Sequence, residues 1–133
     1  MRRNFLFISL LLVLAGCAEQ PLKAVTSIEV LINEYRYVQA QWRIPSGEQI
    51  TLRLTNESDQ EHEWLLLKES PSEPFSADDE AKVFFRVIVG AGETRRMQFK
   101  APAAPGEYSA ACSKPGHLEK GEIGRVLVVQ PGY

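Results

Sequence analysis

The sequence predicts an all-β domain, an antiparallel sandwich or barrel of seven to eight strands. Apolar and polar residues alternate over short segments, as they do in strands with one buried face. Turns that contain Gly or Pro separate these segments. The segments are short and closely spaced, which is typical of a sandwich or barrel and not of a fold with helices between parallel strands.

The first clear strand signal is the alternation of Ile28, Val30 and Ile32 with their neighbours, and residues 50–54 repeat it. Further strands are predicted over residues 63–67, 83–89, 94–100, 107–111 and 125–130. The turns between strands are Pro45-Ser46-Gly47, Gly90-Ala91-Gly92, Pro105-Gly106 and Pro115-Gly116. These elements make one domain that can bury a single core.

Residues 68–82 interrupt the strand pattern because they are polar and contain two prolines. We expect a surface crossover between the two sheets, in which Ser76 and Asp79 could cap one helical turn. We expect the large aromatic side chains to pack in the core or on the sheets: Trp42, Trp64, Phe84, Phe85 and Phe99.

The N-terminal residues have the layout of a secretory signal, with Arg2 and Arg3 before an apolar run. The run ends in Leu-Ala-Gly-Cys17, which resembles a bacterial lipobox and implies that Cys17 is lipidated. We therefore expect a signal peptide over 1–16, a tether over 17–23 and the β domain over 24–133. An ordinary signal peptide and an uncleaved anchor are the alternatives. The lipobox implies an extracytoplasmic protein held at a bacterial envelope membrane only by its lipid.

Composition restricts the function further. After removal of residues 1–16 the chain keeps 13 basic and 17 acidic residues, a formal charge of 13 − 17 = −4. This mild acidity, without a basic stripe, argues against a nucleic-acid partner. With Cys17 lipidated, Cys112 is the remaining thiol, and a lone thiol in an oxidising compartment suggests a bound metal.

The chain contains two histidines, and both belong to a pattern that includes Cys112. His62 begins a predicted strand, whereas Cys112 and His117 flank a Pro-Gly turn near the C-terminus. One thiolate and two imidazoles are the donors of a trigonal copper site with a weak axial ligand. The alternative interpretation is a surface histidine and a cysteine that acts as a small core hydrophobe.

These motifs resemble the metal loop of cupredoxins, the plastocyanin and azurin superfamily. The similar segments are Gly106-Glu107-Tyr108 through Cys112, Pro115-Gly116-His117, Gly121-Glu122-Ile123-Gly124, and residues 56–64 around the first histidine. The resemblance covers the mature domain and implies a Greek-key sandwich. It also implies one copper ion held by His62, Cys112 and His117.

Glu122 stands where the family's pattern usually has an axial methionine. Met97 lies in a predicted strand, so it does not replace that ligand. A carboxylate is a harder donor, and as an axial ligand it would favour Cu(II). The alternatives are a side chain that points to solvent and a site of the same donors filled by zinc.

The resemblance implies electron transfer to a redox partner protein, and we expect a monomer that is not an enzyme. The related copper enzymes need a second copper centre, which requires more histidines than this chain has. The alternative function is copper capture, storage or delivery with a copper-handling protein as partner. A third hypothesis is an interaction lipoprotein with a vestigial site, since a fold does not settle function.

Overall fold

The computed structural model describes residues 23–132. The predicted signal peptide, Cys17, most of the tether and Tyr133 lie outside these residues. Within them, no helix has the length and apolarity of a membrane span.

Nine strands and one short helix make up the described domain. In chain order they are β1 (Ser27–Asn33), β2 (Arg36–Tyr37), β3 (Gln41–Pro45), β4 (Gln49–Asn56), β5 (His62–Leu67), α1 (Ala77–Glu80), β6 (Val83–Val89), β7 (Thr94–Lys100), β8 (Gly106–Ala111) and β9 (Ile123–Val129). The seven strands predicted from alternation are all present, and the short strands β2 and β3 are additional.

The strands form two sheets that pack face to face. One has the order β2-β1-β4-β7 and the other has the order β3-β9-β8-β5-β6. The β-sandwich is therefore confirmed, but its sheets are mixed, because β1 pairs in parallel with β4 and β3 pairs in parallel with β9. Each parallel pair joins strands that are not consecutive in the chain, a relation that the alternation of single strands does not reveal.

The core lies between the sheets and is filled by the inward residues of alternating strands. Ile28, Val30 and Ile32 of β1 are buried, as their alternation predicts. Trp42, Trp64 and Phe99 join them, with Phe85 packed against the cluster. Phe84 does not, because it lies on the outer face of β6 and is 53% exposed.

Strand β5 is buried along its whole length, since its outer face is also covered. A second apolar cluster there contains Leu65, Leu67 and Leu118, with Phe75 packed on it. Phe75, from residues 68–82, and Leu118, from the loop after Cys112, supply this cover. Residues 68–82 connect β5 and β6, which are antiparallel neighbours in one sheet. Our expectation of a crossover between the two sheets was wrong, because polar residues in a long loop do not reveal which strands pair.

The predicted cap of the helical turn is confirmed. Ser76 is the N-cap of α1, and its hydroxyl accepts a hydrogen bond from the Asp79 backbone N–H while the Asp79 carboxylate accepts one from the Ser76 N–H. Asp79 also accepts hydrogen bonds from the Ser72 hydroxyl, and these bonds hold the pKa of its carboxyl well below the ordinary value. These bonds hold the short helical turn in place within the loop of residues 68–82.

Candidate metal centre

Three neighbouring strands bring the predicted site residues to one end of the sandwich. β5 begins at His62, β8 ends just before Cys112, and β9 begins just after Glu122. Because β8 is antiparallel to both β5 and β9, these three strand ends meet at the same edge of the sheet. Ala111, the last residue of β8, pairs with Leu65 of β5 on one side and with Ile123, the first residue of β9, on the other.

The segment before His62 is organised by a buried asparagine. Asn56 ends β4, and its side-chain amide donates to the Gln60 and Gly90 carbonyls at 2.6 and 2.9 Å. Its side-chain oxygen accepts from the Ser58 N–H and hydroxyl. These bonds fix residues 57–61 as a compact loop, so His62 enters the sheet in one defined position.

A closed loop carries the other three residues. The Cys112 N–H donates to the Glu122 carbonyl at 3.3 Å, and the Glu122 N–H donates to the His117 carbonyl at 3.1 Å. Gly116 and Gly121 have φ angles of 79° and 97°, which a glycine adopts without steric cost. The two glycines thus allow the sharp bends that return His117 and Glu122 toward Cys112.

The four side chains converge in the interior of the molecule. One donor atom from each of His62, Cys112, His117 and Glu122 lies within 4.8 Å of the other three. The Glu122 carboxylate lies 2.8 Å from Nδ1 of His62 and 3.0 Å from Nδ1 of His117, and the Cys112 Sγ lies 3.5 Å from that second nitrogen. His117 has the most solvent contact of the four, at 6% exposure.

Burial without a cation drives these groups toward their neutral forms. It lowers the pKa of His62 to about 4, an effect to which repulsion from the charge of His117 adds, and it also lowers the pKa of His117. It raises the pKa of Glu122 to about 8 and, together with the Glu122 charge, that of Cys112 to about 12. A bound cation reverses this preference, because it stabilises the thiolate and the carboxylate.

The donor set fits one copper ion. Two imidazole nitrogens, one sulfur and one carboxylate oxygen face a common point, and all four residues are buried. Nδ1 of both histidines faces the other donors, while the buried Nε2 of His62 has no protein hydrogen-bond partner. Thiolate and imidazole are donors that copper accepts readily. The buried His, Cys, His group is therefore able to hold one copper ion.

Glu122 was expected either at the metal or pointing to solvent. The structure buries its side chain completely, and its carboxylate approaches both histidines. Met97 lies on β7 and is 37% exposed, away from this cluster, as expected for a strand residue.

Two residues near the site were not identified from the sequence. Glu63 is 5% exposed and accepts hydrogen bonds from the N–H and the hydroxyl of Ser113. It thereby ties β5 to the residue after Cys112. The position of Glu63 directly after His62 in the sequence could have indicated that it lies near the site. Tyr35 lies beside both histidine rings, and no motif in the sequence points to it.

Comparison with known families agrees with this geometry. Residues 5–124 match the model of the family described as "Cupredoxin-like domain". The chain belongs to this family. A search of curated proteins gave no match.

Several solved structures have a similar fold. Dithionite-reduced auracyanin from the photosynthetic bacterium Roseiflexus castenholzii is 24% identical, with a TM-score of 0.69 over 80% of this chain and 99% of that chain. Auracyanin A from Chloroflexus aurantiacus, described as a "blue" copper protein, is 24% identical with a TM-score of 0.64 over 77% and 98%. Reduced rusticyanin is 16% identical, with a TM-score of 0.58 over 80% and 82%. These likenesses confirm the cupredoxin sandwich.

Proposed function

We propose that this cupredoxin is an electron carrier that holds one copper ion through His62, Cys112 and His117, with Glu122 as a fourth ligand. The observation that carries the proposal is the convergence of four buried donors at one end of a cupredoxin-like domain. Copper would supply one-electron chemistry by changing between Cu(II) and Cu(I).

The protein's part is to keep the donors in place during electron transfer. His62, Cys112 and Glu122 are fixed at the ends of three paired strands, and the loop that carries His117 is closed by backbone hydrogen bonds. A site held in this way changes little between oxidation states, which favours fast transfer. His117 is the ligand nearest to solvent, so we infer that electrons reach a redox partner protein through its imidazole.

Glu122 distinguishes this site from one with an axial thioether. Its carboxylate approaches both histidine nitrogens to 3.0 Å or less, which supports a role as a ligand. A charged oxygen donor stabilises Cu(II) more than Cu(I), so we expect a low reduction potential. The same residue favours a second candidate function, capture or delivery of Cu(II) to a copper-handling protein.

Voltammetry and optical spectroscopy of the copper-loaded protein separate the two functions. Electron transfer predicts a reversible couple with fast kinetics in the wild type. Glu122→Met should give a bluer site with a higher potential, because it supplies a soft thioether, and Glu122→Gln is the neutral control of similar size. A couple that is irreversible in all three proteins would favour copper capture, and a colourless protein purified with zinc would contradict both functions.

We also propose that the domain is tethered outside the cytoplasm by a lipid on Cys17, as the lipobox sequence suggests. The lipid would keep the carrier at the membrane surface near its partner. Labelling with a radioactive fatty acid tests this proposal. Label should appear in the wild type and be lost in Cys17→Ser, and equal label in both would contradict it.

A further inference from the structure

Tyr35 covers the imidazole side of the candidate metal centre. It lies in the turn between β1 and β2, next to Glu34, whose φ of 53° is unusual for a residue with a side chain. Its ring meets the His117 ring edge-on, with centroids 5.0 Å apart and an interplanar angle of 87°. It also approaches the His62 ring at 6.2 Å and 63°. One half-buried side chain thus lies against both histidines.

Two other segments hold the Tyr35 ring in this position. Nζ of Lys120, in the loop between Cys112 and Glu122, lies 3.7 Å from the ring centroid, a cation–π contact. The side-chain amide of Gln60, in the loop before His62, donates to the Tyr35 hydroxyl at 2.7 Å. The ring is therefore held by both loops that carry the histidine ligands.

The surface on either side of Tyr35 is open. One cleft of about 580 Å³ is lined by Arg36 and Lys120, and another of about 580 Å³ is lined by Glu57 and Asp59. Tyr35 lines both clefts. Water and small solutes can enter each cleft, and the tyrosine ring lies between them and the histidines.

We propose that Tyr35 is a lid that excludes water and small exogenous ligands from His62 and His117, and that Lys120 and Gln60 hold it closed. The inference rests on the proposed function, because a closed site suits electron transfer and disfavours binding of a further ligand at the metal. Lys120 and Gln60 lie at the surface, where cation–π contacts and hydrogen bonds are individually weak. The lid can therefore open when copper enters.

Carbethoxylation of histidine by diethyl pyrocarbonate in the metal-free, full-length protein tests the lid without depending on copper. The chain has two histidines, and both are in the site, so the ultraviolet signal of modified histidine reports on this site alone. Tyr35→Ala should react about tenfold faster than the wild type, because the ring contacts with both imidazoles are lost. Tyr35→Phe keeps the ring and should stay within about twofold.

Lys120→Gln tests the same lid without removing the tyrosine. It keeps a long side chain but removes the cation over the ring, and it should raise the rate about threefold. Thermal unfolding identifies any variant that has lost the fold, and if Tyr35→Ala is one, the decision rests on Lys120→Gln. Wild-type rates in folded Tyr35→Ala and Lys120→Gln would overturn the lid. Failure of the wild type to bind copper would overturn the proposed function and leave the carbethoxylation result intact.

Discussion

Replacing Glu122 by Gln is expected to change how the stability of the metal-free protein depends on pH. Burial raises the pKa of Glu122 from its ordinary 4.5 to about 8. Between these values the folded protein holds a proton on Glu122 that the unfolded chain has released. The free energy of unfolding therefore falls as the pH rises, until Glu122 ionises in the folded state as well.

The range from pH 7 to 8 isolates this effect from the neighbouring groups. The pKa of His62 is lowered from 6.5 to about 4 and that of His117 is also lowered, so the protonation of the two histidines in the unfolded chain affects stability mainly below this range. The pKa of Cys112 is raised from 9.0 to about 12, so its ionisation affects stability mainly above it. One pKa unit corresponds to about 1.4 kcal/mol, and because Glu122 begins to ionise in the folded state near pH 8, the wild type should lose about 1 kcal/mol between pH 7 and 8.

Urea unfolding at a series of pH values, with a metal chelator and a thiol reductant present, measures this slope. The wild type should lose stability across the range, whereas Glu122→Gln should show a nearly flat profile and be the more stable protein at its upper end. Equal slopes in the two proteins would refute the reasoning, because they would mean that Glu122 is already ionised and solvated in the folded state.

Two further predictions concern the frame of the site. Glu63→Ala should lower the free energy of unfolding by about 1–3 kcal/mol, because the half-buried Ser113 donors lose a charged acceptor, while Glu63→Gln keeps an oxygen and should lose less. Gly124→Ala should cost about 1–3 kcal/mol, since the new Cβ would lie 2.7 Å from the Trp42 ring. Denaturant unfolding of the metal-free proteins checks both, and wild-type stability in Glu63→Ala or Gly124→Ala would contradict the packing described.

Much of the fold could be predicted because each strand with one buried face leaves its own alternation in the sequence. β1 and β4 show this pattern clearly. β2 is only two residues long, and β3 ends in two buried residues, Ile44 and Pro45, so neither shows a full alternation. Which strands pair, and in which direction, depends on contacts between distant segments, and this explains why the parallel pairs were not foreseen.

The four residues of the candidate metal centre could be proposed because histidine and cysteine are rare in this chain and follow a recognisable loop pattern. The contacts around these four residues could not be predicted from the sequence. Glu63 looked like its acidic neighbours Glu61 and Asp59, and only the pairing of β5 with β8 buries it against Ser113. Tyr35 is distant in sequence from both histidines and reaches them only through the turn after β1.

Anaerobic titration of the metal-free protein with Cu(II), followed by its absorbance and by metal analysis, tests the central claim most directly. The wild type should bind one copper ion per chain with an intense charge-transfer band from the Cys112 thiolate. Cys112→Ser should lose that band and most of the affinity, because the soft donor is gone. Unchanged colour and affinity in Cys112→Ser, or no copper bound by the wild type, would contradict the assignment of this cluster as a cupredoxin copper site.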